Sequence, residues 1–196
     1  MRRNSIRCGN AQTAIWSHQQ PDFVPTAVVQ YQMPSDSPSL AAGVVPAPPR
    51  MAFSLVRCGA DGIPLTPISD VPEAIVATYA ANADLYRRVK FIPPWVSYVA
   101  VDDGRAVGGG AFVGPPRDNR VEIAYFTLKE LQGLGYATRT ATALVAIARN
   151  ANHSIVICAF TLRESSASTK ILQRLGFKLF GDAQDPDAGD VWEWRT

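Results

Sequence analysis

The hydrophobic positions of this chain change period several times, and each change marks an element. Over residues 70–88, Ile75, Val76, Tyr79 and Tyr86 share one helical face, with Asp70 as a cap, Pro72 in the first turn and Glu73 at the positive helix end. Residues 96–101 and 106–113 have strand patterns joined through Asp103-Gly104, a strong hairpin signal. Residues 121–127 form the next strand, and 137–149 put Ala137, Ala141, Leu144, Val145 and Ala148 on one helical stripe. Residues 154–160 are nearly all apolar, the pattern of a strand buried on both faces. Strand, helix, strand at this spacing predicts a right-handed crossover between parallel strands. Residues 53–56, 177–180 and 191–195 supply the remaining strands, with an acidic loop between the last two. The fold class is therefore α/β with a mixed sheet. Its strands are antiparallel as far as 121–127, and that strand then runs parallel to 154–160 and diverges from it.

Residues 1–50 follow no such pattern. They hold seven of the fifteen prolines, and neither helical nor strand periodicity persists, which predicts disorder. The opening Met-Arg-Arg-Asn-Ser-Ile-Arg is basic and acid-poor, as transit peptides are, but has no amphipathic helix and reads as an unstructured extension. Patterned sequence begins at Met51, a candidate start, so the expected organisation is an extension over 1–50 and one domain over 51–196.

Between the strand at 121–127 and the helix at 137–149 lies Leu131-Gln132-Gly133-Leu134-Gly135-Tyr136-Ala137. Strand, glycine turn, helix is the layout of an anion site: glycines admit close backbone approach, and the first helical turn offers unpaired N–H groups backed by the helix dipole. No Gly-Lys-Ser/Thr follows, so this is not a Walker loop, and the three glycines of a dinucleotide fingerprint are missing. It reads as a diphosphate cradle. Gly108-Gly109-Gly110 is a rival phosphate loop, but it sits inside a strand pattern with no helix after it, where a bulge or a close backbone approach is expected.

Downstream, residues 164–177 read as a short helix with Ser165 or Ser166 as cap, apolar Ala167, Ile171, Leu172 and Leu175, and Gly176-Phe177 closing it. Together the two segments resemble the GCN5-related N-acetyltransferases, the GNAT family. Gln132, Gly135 and Ala137 match that family's Q/R-x-x-G-x-G/A pyrophosphate motif. Glu164, Ala167, Ser168, Leu172, Gly176 and Phe177 match its Glu-Asn-x-Ala-Ser-x-x-x-Leu-x-x-x-Gly-Phe helix, with Ser165 in place of the usual Asn. Glu122-Ile123-Ala124-Tyr125 is similar to the Glu-Ile-x-Tyr of the ribosomal-protein-acetyltransferase-like branch, and the resemblance spans residues 65–195. It implies the acyl-CoA N-acyltransferase fold: a central, mostly antiparallel sheet with a splayed parallel pair and flanking helices. It also implies acetyl-CoA as cosubstrate. The residues it places at the cofactor are Phe126, Thr127 and Leu128 beside the thioester, then Gln132, Gly133, Leu134, Gly135, Tyr136, Ala137 and Thr138 around the diphosphate, and Ser165 and Ser168 on the later helix.

Composition narrows the picture. A net charge of +2 does not argue for nucleic acid, and no apolar run reaches membrane-spanning length. Three widely spaced cysteines, Cys8, Cys58 and Cys158, fit a reducing compartment, and the expected location is the cytoplasm. With only His18 and His153, neither a histidine metal site nor a Ser-His-Asp triad has enough parts, so no metal is expected. Cys158 reads as core, His153 as solvated and Tyr136 as packing.

Amine acetylation needs a base for the ammonium proton, donors for a developing oxyanion and a way for the thiolate to leave. Glu122 is the candidate base, beside the small Ala124; the alternative is a surface carboxylate at a strand start. Backbone N–H groups over 126–128 are the candidate donors. The family's usual acid, a tyrosine four residues before Gly-Phe, is Leu172 here. Ser168, one turn earlier, could give the proton or simply pack, and a thiol of pKa about 8.5 is a fair leaving group unaided. Asp182, Asp185, Asp187 and Asp190 either attract a cationic amine or form a solvated loop, the favoured reading. Two functions stay open. One is an acetyl-CoA-dependent N-acetyltransferase acting on a primary amine of a protein N-terminus or small molecule, as a monomer or homodimer. The other is a non-catalytic acyl-CoA-binding module on the same fold.

One expectation concerns the extension. A chain beginning at Met51 should keep the melting temperature and the acetyl-CoA affinity of the full chain; loss of soluble protein would make residues 1–50 part of the core.

Overall fold

The structure is a computed structural model and describes residues 52–196; the expectations for residues 1–50 and for Cys8 and His18 lie outside the described residues. The elements in order are β1 (Ser54–Arg57), α1 (Glu73–Val89), β2 (Ser97–Asp102), β3 (Arg105–Phe112), β4 (Arg120–Thr127), α2 (Tyr136–Ala151), β5 (Val156–Leu162), α3 (Ala167–Arg174), β6 (Lys178–Asp185) and β7 (Gly189–Arg195). They build one seven-stranded sheet in the order β1-β2-β3-β4-β5-β7-β6.

The mixed sheet is the one the patterns predict. β1 to β4 pair antiparallel, β4 and β5 run parallel across the α2 crossover, and β7 and β6 pair antiparallel beyond. The parallel pairing is brief. It joins Arg120 to Val156, Val121 to Ile157 and Glu122 to Cys158, and ends there, whereas β4 stays paired with β3 as far as Thr127. From Ile123 onward β4 has left β5, which is the expected splay.

Helices cover both faces. α2 packs on one through Leu144 and Ala148, which share a core cluster with Phe112, Val121, Ile123, Ile157 and Leu172. α1 packs on the other through Ile75, beside Val99 and Val101. Asn82 of α1 accepts a hydrogen bond from the Ser97 hydroxyl at 2.9 Å, and the Tyr86 hydroxyl accepts from the Ser97 amide at 2.6 Å. Both polar groups that α1 buries are thereby satisfied.

Three elements differ from expectation. α1 begins at Glu73 because Asp70 is drawn into the sheet edge, where its carbonyl accepts from the Ala106 amide and its carboxylate meets Arg105 at 3.2 Å. β5 starts two residues late because Asn152 accepts from the Ser154 amide and hydroxyl, holding a turn. The acidic loop is a hairpin. β6 runs to Asp185, Asp182 and Asp190 both pair with Arg163, and Asp185, 7% exposed, caps the turn by accepting from the amides of Asp187 and Ala188.

The glycine run in β3 serves both expected purposes. The β2–β3 register shifts between Ala100 and Val101, leaving Val107 as the extra residue of a bulge. A Cβ on Gly108 would lie 2.3 Å from the Phe126 carbonyl oxygen, so β3 and β4 approach more closely than any side chain allows. Gly108→Ala should therefore push β4 away or break its register and destabilise the fold by roughly 1–3 kcal/mol, read as a lower urea midpoint. An unchanged midpoint would mean that the strand relaxes freely.

Candidate active site

Where β4 leaves β5 the sheet opens into a cleft of about 970 Å³. Its floor is the second half of β4, Ile123 to Leu128, facing Ala159, Phe160 and Thr161 of β5. Antiparallel pairing alternates the direction of backbone groups. Glu122 bonds to Val113, and Leu128 donates to the Val107 carbonyl at 3.1 Å, so the even residues of β4 face β3. The amides of Ile123, Tyr125 and Thr127 therefore turn toward the gap. Of the three expected donors, Leu128 is already spoken for, and Thr127 is the one turned toward the gap.

One wall is the glycine loop. A 3₁₀ turn at Lys129–Leu131 leads into Gly133 and Gly135, with φ of +81° and +85°. Left-handed backbone favours glycine at both positions, and an added Cβ at either would meet nothing within 4 Å. Gly135 is the cap residue of α2 without a side-chain cap, and the first helical amide with an answer is Arg139, bonded to the Gly135 carbonyl at 3.1 Å. The amides of Tyr136, Ala137 and Thr138 precede it with no intrahelical acceptor. An open glycine rim with free amides at a helix start fits a diphosphate.

The expected cofactor residues largely converge on this cleft. Phe126, Thr127 and Leu128 line it from β4, Gln132, Gly133 and Gly135 from the loop, Tyr136, Ala137 and Thr138 from α2, and Ser168 from α3. Leu134 does not line it; its side chain is 64% exposed and turns outward. Ser165 is also outside, and the α3 cap is Ser166, whose hydroxyl accepts from the Thr169 amide while Thr169 answers the Ser166 amide. Such a cap contributes about 1 kcal/mol. Ser166, one of the two expected caps, lines the cleft, and so do Lys170 and Arg174 of α3, which sequence reasoning passed over. Their spacing of four was the available signal.

Glu122 is 5% exposed and sits in the last paired row of β4 and β5, directly before the gap. It is not a surface carboxylate, and it lies behind the cleft wall, with Ala124 and Phe126 following on the same face. Leu172 is 1% exposed and apolar, whereas Ser168, one turn earlier, is half-buried at the cleft. Tyr136 is held by packing: its ring stacks on Phe53 at 6.4 Å, and its hydroxyl donates to Asp102 at 2.9 Å. That hydrogen bond holds its phenol above the usual tyrosine range, which suits a tether more than an acid. Asp102 also takes Arg139 at 3.4 Å, so a carboxylate on the β2–β3 hairpin fixes the first turn of α2. Cys158 is fully buried with its thiol on the Val121 carbonyl, and burial pushes the Cys58 thiol up to about 12, so neither is a nucleophile. His153 is exposed. Among the described residues no cluster of His, Cys, Asp or Glu could hold a metal ion.

This fold and cleft define an acyltransferase of the acyl-CoA type, and comparison with known proteins agrees. The chain belongs to the GNAT acetyltransferase family, whose domain matches residues 67–178. Members of that family use acetyl-CoA. Among solved structures, RimL, a ribosomal L7/L12 alpha-N-protein acetyltransferase, superposes in its apo form with a TM-score of 0.55 at 16% identity, over 76% of this chain and 95% of its own. RimL in complex with coenzyme A superposes with a TM-score of 0.50 at 19% identity, over 63% of this chain and 71% of its own. An IAA acetyltransferase from Bacillus cereus ATCC 14579 gives 0.50 at 17% identity, over 74% and 99%. At these identities the likeness is one of fold. No curated protein matches the chain in sequence.

The loop yields a steric test. Because space beyond Gly135 is open, Gly135→Val should leave the core intact and cost about 1–2 kcal/mol at most through its left-handed backbone. Its branched side chain would stand where a diphosphate must approach. Calorimetry should show acetyl-CoA binding weakened at least tenfold with a cooperative melt retained; unchanged affinity would move the cofactor elsewhere.

Proposed function

We propose that this protein transfers an acetyl group from acetyl-CoA to a primary amine, of a protein N-terminus or a small molecule, by direct attack in a ternary complex. The observation that carries the reading is that one cleft passes through the sheet. Ala137 and Ser168 line it from α2 and α3, and Ala74 and Thr78 line it from α1, on the opposite face. Two ligands entering from opposite faces meet where β4 has left β5.

Acetyl-CoA bound there supplies an activated acyl group. Gln132, Gly133, Gly135 and the amides of Tyr136, Ala137 and Thr138 would hold its diphosphate, Leu134 adding backbone alone. Phe126, Thr127 and Leu128 would flank its acyl-bearing end, with Ser168 along its arm and Ser165 outside the cleft. The Thr127 amide is a donor turned toward the gap. Glu122 is the base: its carboxylate, buried behind the cleft wall in the last paired row before the gap, takes the ammonium proton through water. The Ser168 hydroxyl is the proton donor on α3. Two buried free thiols, Cys58 and Cys158, support a reducing, cytoplasmic setting. No helix among the described residues is long and apolar enough to cross a membrane. The second reading, a non-catalytic acyl-CoA-binding module, is favoured by the buried apolar Leu172 in the place of an acid.

Thiol release from acetyl-CoA across a panel of primary amines separates the two. Release that depends on the amine is expected, and binding without release under every amine would establish the module. Glu122→Gln should lower kcat/KM at neutral pH by on the order of 10²- to 10⁴-fold with acetyl-CoA affinity unchanged. The deficit should shrink as pH rises toward the pKa of the amine, because solvent then supplies neutral acceptor. A loss below a few-fold makes Glu122 structural. A large loss that persists at high pH makes it a positioning group.

A further inference from the structure

The half of the cleft that faces α1 has a chemistry of its own. β5 alternates between faces as β4 does. Ile157 and Ala159 belong to the core on the α2 side, so Cys158, Phe160 and Leu162 stand on the other face. Cys158 is the row partner of Glu122, and Phe160 follows it two residues along the same face, about 7 Å on at the usual rise of a strand. Phe126 stands on that face from β4, in the cluster of Val99 and Val101. Phe126, Phe160 and Leu162 all line the cleft, and all three are only half-buried. The α1 wall is made of Ala74 and Thr78, side chains small enough to leave room for a ring.

Charge narrows the occupant. The cations that line the cleft, Lys129, Lys170 and Arg174, stand on the turn after β4 and on α3; neither β5 nor α1 contributes one. Asp185 lines it from the hairpin of β6 and β7. This face can admit an ammonium, but it has no cation to answer a carboxylate, whose burial would then be costly. We infer that Phe160, Leu162 and Phe126 form a collar for the substituent of the acceptor, and that the acceptor is a primary amine on an aromatic or bulky apolar group with no carboxylate beside it. The inference rests on the acetyl-transfer reading above. An amine that hands its proton toward Glu122 then lays its substituent along Phe160 and Leu162. Burying a phenyl group against them gives roughly a tenfold to hundredfold preference over a polar amine of similar reach.

Thiol release from acetyl-CoA by the full chain with 2-phenylethylamine, ethanolamine and phenylalanine tests this. 2-Phenylethylamine should exceed both others at least tenfold in kcat/KM, ethanolamine because it lacks the ring and phenylalanine because it adds a carboxylate. A peptide beginning with phenylalanine carries the same ring at a chain end. If it outruns the free amine, the acceptor is a protein N-terminus; if it trails, a small molecule; either fits the collar. Phe160→Ala should bring 2-phenylethylamine down to the level of ethanolamine. Ala74→Trp, at an exposed helical position that leaves the core untouched, should raise its KM at least tenfold with acetyl-CoA affinity unchanged. Equal use of the polar amines, or a preference that survives both variants, would overturn the collar and leave acetyl transfer standing. Calorimetry of 2-phenylethylamine on the protein loaded with coenzyme A separates the remaining cases. Binding without release under any amine would keep the collar and overturn transfer, and neither binding nor release would overturn both.

Discussion

The rest of the structure depends on backbone groups that lose their partner where β4 and β5 part. A buried strand must satisfy its amides and carbonyls. Up to Glu122 the parallel ladder with β5 does so; beyond it, Ile123, Tyr125 and Thr127 turn their amides into the gap. β4 cannot follow β5, because it remains bound to β3, and the bulge at Val107 with the close approach at Gly108 keeps that pairing tight to Thr127. β5 cannot follow β4, because β7 pairs with it from Cys158 to Leu162. Two rigid ladders pull one strand pair apart. The result is a slot with hydrogen-bonding groups along its edge, suited to an extended ligand that carries amides of its own.

The glycine loop is fixed to this slot from outside. Asp102 on the β2–β3 hairpin holds both the Tyr136 hydroxyl and the Arg139 guanidinium, and Arg139 lies over the Phe53 ring at 4.2 Å. The helix start is thereby tied to the antiparallel half of the sheet, although α2 continues toward the parallel half. A tether of this kind orients free amides before any ligand arrives, and pre-orientation lowers the entropy lost on binding.

Much of this was legible in sequence because it rests on local chemistry. Left-handed glycines at 133 and 135, an apolar stripe along α2 and a continuous apolar strand at β5 each leave a periodic trace, and together they imply the crossover. What was not legible depends on distant partners. Asp70 has the features of a helix cap, but the Ala106 amide competes for its backbone and wins. The run over 181–190 has loop composition, yet β7 on one side and Arg163 across the hairpin impose a strand. Glu122 at a strand start gives no sign in sequence that it is buried.

The division of the cleft follows from the same geometry. Residues of β4 alternate between faces, so Ile123 and Tyr125 belong to the side covered by α2, while Glu122, Ala124 and Phe126 belong to the side covered by α1. The free amides of the loop stand on the α2 side; the buried carboxylate and the small Ala124 stand on the other. A strand buried between two helical layers thus separates the open amides of the glycine loop from the buried Glu122 carboxylate by the pleat alone. Motifs of the α2 side are constrained by one cofactor and leave a readable pattern. The α1 side lines the same cleft through Ala74 and Thr78, two small residues that match no motif, so that half of the cleft carries no comparable signature in the chain.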